Sequence, residues 1–272
     1  MTRSRLAAAG VAGLLVLLLL FPVYWAVVSS LTPESRLFAV PALVPRQLVF
    51  DHYRALFATR DFWTPIRNSL VVAGSTTVVA VALGSICAYA LARLRFRGQA
   101  PVLAFVLAVS MFPQISIVSP LYLLLRELRL LNTYPGLVLP YLSFAMPLTI
   151  WLLAGFFRQL PADLEEAAAM DGAGRIRTFW TIILPLSWPG IATTAILTFL
   201  YCWNEFLFAL SFTLGPERYT VPVAITLFRG QYQVPWGEIL AGAVVATIPV
   251  AALVLIAQRG IVAGLTSGAV KG

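Results

Sequence analysis

Six long apolar runs, at about residues 6–31, 65–92, 101–125, 137–157, 188–213 and 239–258, constrain this chain more than any other feature. A helix needs about 20 apolar residues to cross a bilayer core, and each run has that length. They predict an all-α integral membrane protein forming a single transmembrane domain over residues 1–272. Composition agrees: 60% of residues are hydrophobic and 11% are charged, against about 25% charged in soluble domains. The net charge of +8 is spread over the loops without forming a block. Such a spread fits retention at a membrane surface and gives no reason to expect a nucleic-acid partner.

Arg3 and Arg5 precede the first run, which is too long for a signal-peptide core and has no small-x-small cleavage site after a short one. It reads as an uncleaved first span with its N-terminus inside, and Tyr24 and Trp25 sit in the far aromatic belt. Residues 32–64 hold Pro33, Pro41 and Pro45 and are too polar for lipid. Arg93, Arg95 and Arg97 form a short basic loop of the kind found on the cytoplasmic side. The third run is interrupted by Pro113, Gln114 and Pro120, and the fourth carries Pro140 and Pro147. Prolines at membrane depth persist where neighbouring helices or water satisfy the freed carbonyls. Cys87 and Cys202 fall inside spans and read as small buried residues, not as a disulfide or metal pair; no metal site is expected. The single histidine, His52, has no partner pattern and is assigned no role.

Between the fourth and fifth runs lies the longest polar island of the second half, residues 158–187. Asp163, Glu165 and Glu166 crowd the first turn of a short helix, where the macrodipole favours negative charge. Gly172 and Gly174 follow, as expected of a left-handed cap. Ile176, Phe179, Trp180 and Ile183 then space an i, i+3, i+4, i+7 apolar stripe on a second helix that Pro185 ends. The pattern predicts a helix-turn-helix held outside the lipid. Ala167, Ala168 and Ala169 offer a close-approach face, Leu164, Phe179 and Trp180 an anchor, and the acids a rim for basic residues on a partner.

Glu165-Glu166-Ala167-Ala168-Ala169-Met170-Asp171-Gly172-Ala173, followed by Phe179, Ile182, Leu184 and Pro185, resembles the EAA loop of binding-protein-dependent ABC importer permeases. The wording is most similar to carbohydrate permeases of the MalG kind. Leu131-Asn132-Thr133-Tyr134 and Tyr201-Cys202-Trp203-Asn204-Glu205-Phe206 extend the resemblance over most of the chain. It implies that Glu165, Glu166, Ala167, Ala168, Ala169, Asp171, Gly172, Ala173, Phe179 and Pro185 make up a coupling element that docks on a cytoplasmic ATPase. It also implies a second homologous permease, two ATPase subunits and an extracytoplasmic solute-binding protein as partners. Gly230, Gln231, Tyr232 and Gln233, in the 214–238 loop, would face that binding protein. No phosphate-binding loop of the Gly-x-x-x-x-Gly-Lys-Ser/Thr kind occurs, so ATP and Mg belong to the partner ATPases and this chain carries no cofactor.

The spans hold one carboxylate, Glu205, and an intramembrane carboxylate is by default a functional-site hypothesis. It lies about 26 Å along the fifth span from Trp188 at 1.5 Å per residue, toward the outer end. With Asn204 and the aromatics Tyr201, Trp203 and Phe208, it forms the expected substrate pathway, since aromatic faces suit pyranose rings. Snorkelling at the outer interface, or pairing with an arginine, would account for Glu205 equally well. Lys and Arg divide almost evenly between the two sides, so charge bias does not orient the chain; the resemblance does, because a loop that docks on an ATPase faces ATP.

The chain is therefore expected to be a permease subunit, without an ATPase site of its own, in the bacterial inner or plasma membrane, with both termini cytoplasmic. Its substrate would be a disaccharide or oligosaccharide such as trehalose or maltose, and the arginine-rich composition fits an actinobacterial system by analogy. An ion-driven secondary transporter would need more buried ionisable groups and internal repeats, and nothing in the sequence asks for a non-transport scaffold.

Overall fold

The computed structural model describes residues 3–38, 43–44, 47–94, 96–228 and 234–269. Every regular element among them is a helix. Arg3–Ser30 forms α1, Asp51–Ala58 α2, Trp63–Arg93 α3, Gln99–Ser110 α4, Gln114–Glu127 α5 and Tyr134–Gln159 α6. Asp163–Met170 forms α7 and Arg175–Thr178 α8; a π-helical turn, Phe179–Ile183, leads into α9, Leu184–Leu186. Then come α10, Trp188–Trp203; α11, Leu207–Phe212; α12, Val221–Thr226; and α13, Trp236–Ala269.

Among the described residues four helices are long and apolar enough to cross a membrane: Ala9–Ser30, Trp63–Arg93, Tyr134–Gln159 and Trp236–Ile256. Two bent pairs raise the number to six if each is one span: α4 with α5, at 87°, and Arg175–Leu186 with α10, at 77°. The third apolar run is thus no straight span. It breaks at Met111–Pro113, where proline at the N-cap of α5 removes the donor that a continuous helix would use. The fifth run stops at Trp203 and restarts at Leu207.

The chain divides into two units, Met1–Ile66 with Val221–Pro249, and Arg67–Thr220 with Val250–Gly272. In the first, the Glu34 carboxylate accepts the backbone N–H groups of Trp236 and Gly237 at 3.1 and 3.0 Å, closing the open end of α13. Arg60 pairs with Glu238 at 2.8 Å and lies over the Phe228 ring. His52 Nε2 meets the Thr32 carbonyl at 3.0 Å, so the histidine does have a structural partner.

In the second unit α6 is the most deeply buried long helix. It packs against α4 and α10. Thr149 on α6 and Thr198 on α10 share a buried hydroxyl–hydroxyl bond of 2.9 Å, the interhelical hydrogen bond that membrane bundles favour. Gly84 on α3 meets Thr149 so closely that a Cβ there would stand 2.7 Å from its methyl carbon. Ala88, Tyr89 and Leu91 of α3, Leu153 and Phe157 of α6, and Phe179 and Ile183 of the π turn share one buried cluster. That cluster anchors the polar island to the bundle. Cys202 is buried as expected, but Cys87 is exposed.

Candidate functional site

The acids of the polar island open α7 as the sequence implies, with Asp163, Glu165 and Glu166 in its first turn. Its other end is a Schellman cap: Ala173 N–H donates to the Ala168 carbonyl at 2.8 Å, and Gly172 N–H to that of Ala169 at 3.0 Å. Gly172 takes φ +75° to make this turn, a conformation that glycine adopts without a Cβ penalty. Gly174 differs from expectation, standing extended at φ −71°, ψ 160° as the N-cap of α8. One left-handed residue suffices to reverse the chain.

The expected apolar stripe splits in two. Phe179 and Ile183 are buried, whereas Ile176 is 78% and Trp180 55% exposed. Across the π turn Leu184 N–H reaches back five residues to the Phe179 carbonyl, and this wider turn keeps Phe179 and Ile183 on one face. Pro185 does not end the second helix, which continues to Leu186 and turns at Ser187. A proline near a helix start leaves no donor stranded, and Pro185 lies at the start of α9.

The island therefore has two faces. Inward, Ala168 and Phe179 are buried, and the Phe179 ring lies 5.0 Å from that of Tyr89. Glu165 also points inward. Its Oε1 accepts from the Tyr89 hydroxyl at 2.8 Å and its Oε2 from Arg93 Nε at 2.8 Å. Arg93 then donates Nη1 to the Leu160 carbonyl at 2.9 Å and Nη2 to that of Pro161 at 3.0 Å. Glu165 is accordingly engaged within its own chain and not offered to a partner. Outward stand Glu166, Ala167, Ala169, Asp171, Gly172 and Pro185, with Ala173 half-buried. Met170 is 89% exposed and joins Ile176 and Trp180 as bare apolar surface on a polar loop, the composition of an interaction patch.

The second expected site divides differently. Tyr201 and Asn204 are exposed, while Trp203, Glu205 and Phe208 are buried. Glu205, 7% exposed, accepts the N–H groups of Phe208 at 2.7 Å and Ala209 at 3.1 Å. The carboxylate thus caps α11 across the break in the fifth run. The buried Tyr141 hydroxyl faces the same carboxylate. Trp203 stacks on Phe199 at 5.6 Å and Phe208 on Phe212 at 5.5 Å. Tyr201 instead meets Phe144 edge-on at 5.0 Å and lines a cleft of about 400 Å³ at the α4–α5 bend. Gln114 and Ser143 supply polar groups to this cleft, and Phe105 and Phe112 further rings. No spacing in the sequence brings these helices together, so the cleft was not legible there. Gly230, Gln231, Tyr232 and Gln233 lie outside the described residues.

A further polar knot joins distant loops. Asn132 donates from its side chain to Glu217, accepts the Leu214 N–H at 3.0 Å, and takes φ +59° to do so. The Asn132 amide holds the exposed Glu217 carboxyl below the usual range.

Residues 80–266 match the model of the family described as "Binding-protein-dependent transport system inner membrane component". The chain is 48% identical over 255 residues to the trehalose transport system permease protein SugB of Mycobacterium tuberculosis, covering 93% of both chains. It is 42% identical over 261 residues to the trehalose/maltose transport system permease protein MalG of Thermococcus litoralis, covering 95% of this chain and 94% of the relative. Its fold resembles a chain from the crystal structure of a bacterial ABC transporter involved in import of the acidic polysaccharide alginate. That likeness has a TM-score of 0.77 at 23% identity, over 95% of this chain and 98% of the other.

Proposed function

The chain belongs to the family of inner membrane components of binding-protein-dependent transport systems, and from that premise we propose that it is a permease subunit of an ATP-driven importer for a trehalose- or maltose-type disaccharide. It forms a single transmembrane domain over residues 1–272 and pairs with a second, homologous permease. Two cytoplasmic ATPase subunits carry ATP and Mg, and a solute-binding protein outside delivers the sugar. Both termini and the 158–187 loop are cytoplasmic, and no ATPase chemistry belongs to this chain. Gly230, Gln231, Tyr232 and Gln233 face the binding protein.

The observation that carries this reading is the two-faced loop. Bare Met170, Ile176 and Trp180 stand beside Glu166 and Asp171 on a segment whose other face is pinned to the bundle. Such a patch suits docking on a partner, and the family supplies the partner's kind. Within the proposed element Glu166, Ala167, Ala169, Asp171 and Gly172 present the surface, and Ala168, Glu165 and Phe179 hold it in place. The sugar class rests on the two permeases nearly half identical to this chain and on the cleft at the α4–α5 bend. There the Tyr201 ring can stack on a pyranose face while Gln114 and Ser143 bond its hydroxyls. Trp203, Glu205 and Phe208 support that wall from behind.

Purification of the full chain from its host in mild detergent tests the reading. An ATPase subunit and a second permease should co-elute, and ATP hydrolysis should rise when binding protein and trehalose or maltose are added. Elution of the chain alone, with neither partner, would contradict it.

A further inference from the structure

We propose that Arg93 and Tyr89 are positioning residues that carry movement of α7 into α3, so that the second span follows the docking loop. The proposal rests on reading α7 as the ATPase-docking helix.

The loop has two non-helical joints. Leu160, between α6 and α7, is extended at φ −69°, ψ 139°, and Gly174, between α7 and α8, at φ −71°, ψ 160°. A force applied to Glu166 or Met170 would bend the chain at these points and be lost unless non-covalent contacts stiffened them. Arg93 provides the contacts at the first point. Its guanidinium donates to the carbonyls of Leu160 and Pro161 and to the Glu165 carboxylate, spanning the joint from both sides. By side chain Arg93 is 8% exposed and Glu165 25%. A fork of three aligned donors is a geometry that lysine cannot reproduce.

Tyr89 stands one turn earlier on α3 and serves both halves of the loop. Its hydroxyl holds the other oxygen of Glu165, and its ring packs on Phe179 of the π turn. Two side chains of α3, four residues apart and hence on one face, thus grip both helices of the docking loop. The acids divide the work: Glu165 binds inward, while Glu166, one residue on, is left for the partner.

The test uses the complete importer, reconstituted with its ATPase subunits, second permease and binding protein. Arg93→Met/Glu165→Met removes both charges at once and avoids stranding one of them buried. Tyr89→Phe removes one hydroxyl. The readings are yield of assembled complex, ATP hydrolysed, and sugar moved per ATP. The proposal expects sugar per ATP, counted per assembled complex, to fall about tenfold in the double variant, within the usual range for coupling between sites. Tyr89→Phe and Arg93→Lys should each show a smaller loss. Assembled variants with wild-type sugar per ATP would overturn it, and if the double variant does not assemble, Tyr89→Phe decides by the same ratio. Ala167→Cys cross-linking to the ATPase separates the two levels. Cross-linking with unimpaired coupling removes the Arg93 role alone, whereas no cross-link in an otherwise wild-type complex removes the docking reading and this proposal together.

Discussion

Glu205 accepts the backbone N–H of Phe208 at 2.7 Å, and this bond starts a new helix inside an apolar run. Both carboxylate oxygens are engaged by backbone donors of α11, which gives the charge a structural task. Loss of a helix N-cap costs about 0.5–2 kcal/mol. Glu205→Leu should therefore lower the yield of assembled complex, Glu205→Gln less so, and uptake per assembled Gln complex should stay near wild type. Normal assembly with uptake lost from each complex would place the carboxylate on the sugar's path instead.

Gly172 turns the docking loop at φ +75°. A β-branched residue held there carries strain of about 1–3 kcal/mol, whereas asparagine tolerates the left-handed region. Gly172→Val should remain in the membrane yet fail to retain the ATPase and lose uptake, and Gly172→Asn should keep most of both. Comparing co-eluting ATPase in the two variants checks this; equal retention by Val and Asn would remove the cap from the docking geometry.

The bare residues Met170, Ile176 and Trp180 should contribute to ATPase affinity. Truncating a hot-spot residue of an interface costs about 2 kcal/mol or more, and each 1.4 kcal/mol is tenfold in affinity. Trp180→Ser and Ile176→Ser should each weaken ATPase retention, measured as subunit recovered against salt and detergent washes. Because both side chains are exposed, the permease's own folding should be unaffected, and its detergent-solubilised thermal midpoint should not move. A shifted midpoint with unchanged retention would assign them to folding.

At the α4–α5 bend, Tyr201→Ala removes the ring proposed to stack on sugar. Uptake should fall while the binding protein's own affinity for the sugar is untouched, and Tyr201→Phe should retain most of the activity. Full uptake by the alanine variant would move the sugar pathway elsewhere.

These predictions draw on residues that the sequence exposed to very different degrees. The acids opening α7 and the glycine that closes it are local signals, and each appears where its spacing implies; the third and fifth apolar runs, by contrast, are broken. The π turn is not local in that sense, because one extra residue per turn leaves no composition mark, and Ile176 and Trp180 are exposed where the apolar spacing implied one buried stripe. The partners of Glu165, Tyr89 and Arg93, lie 76 and 72 residues away on another helix, beyond what periodicity can report. Glu205 looked like a membrane-depth charge needing a task, and the break in the helix that supplies the task forms only once α11 is in place. The bend at Met111–Pro113 was signalled by its proline, but its 87° angle was not.

Sugar uptake by proteoliposomes holding the assembled complex tests the central claim most directly. Labelled trehalose and maltose are supplied outside with binding protein, with ATP and Mg enclosed inside or omitted. The account predicts that at least one of the two sugars accumulates only when ATP is inside and binding protein outside. Uptake driven by a sodium or proton gradient without ATP would contradict it.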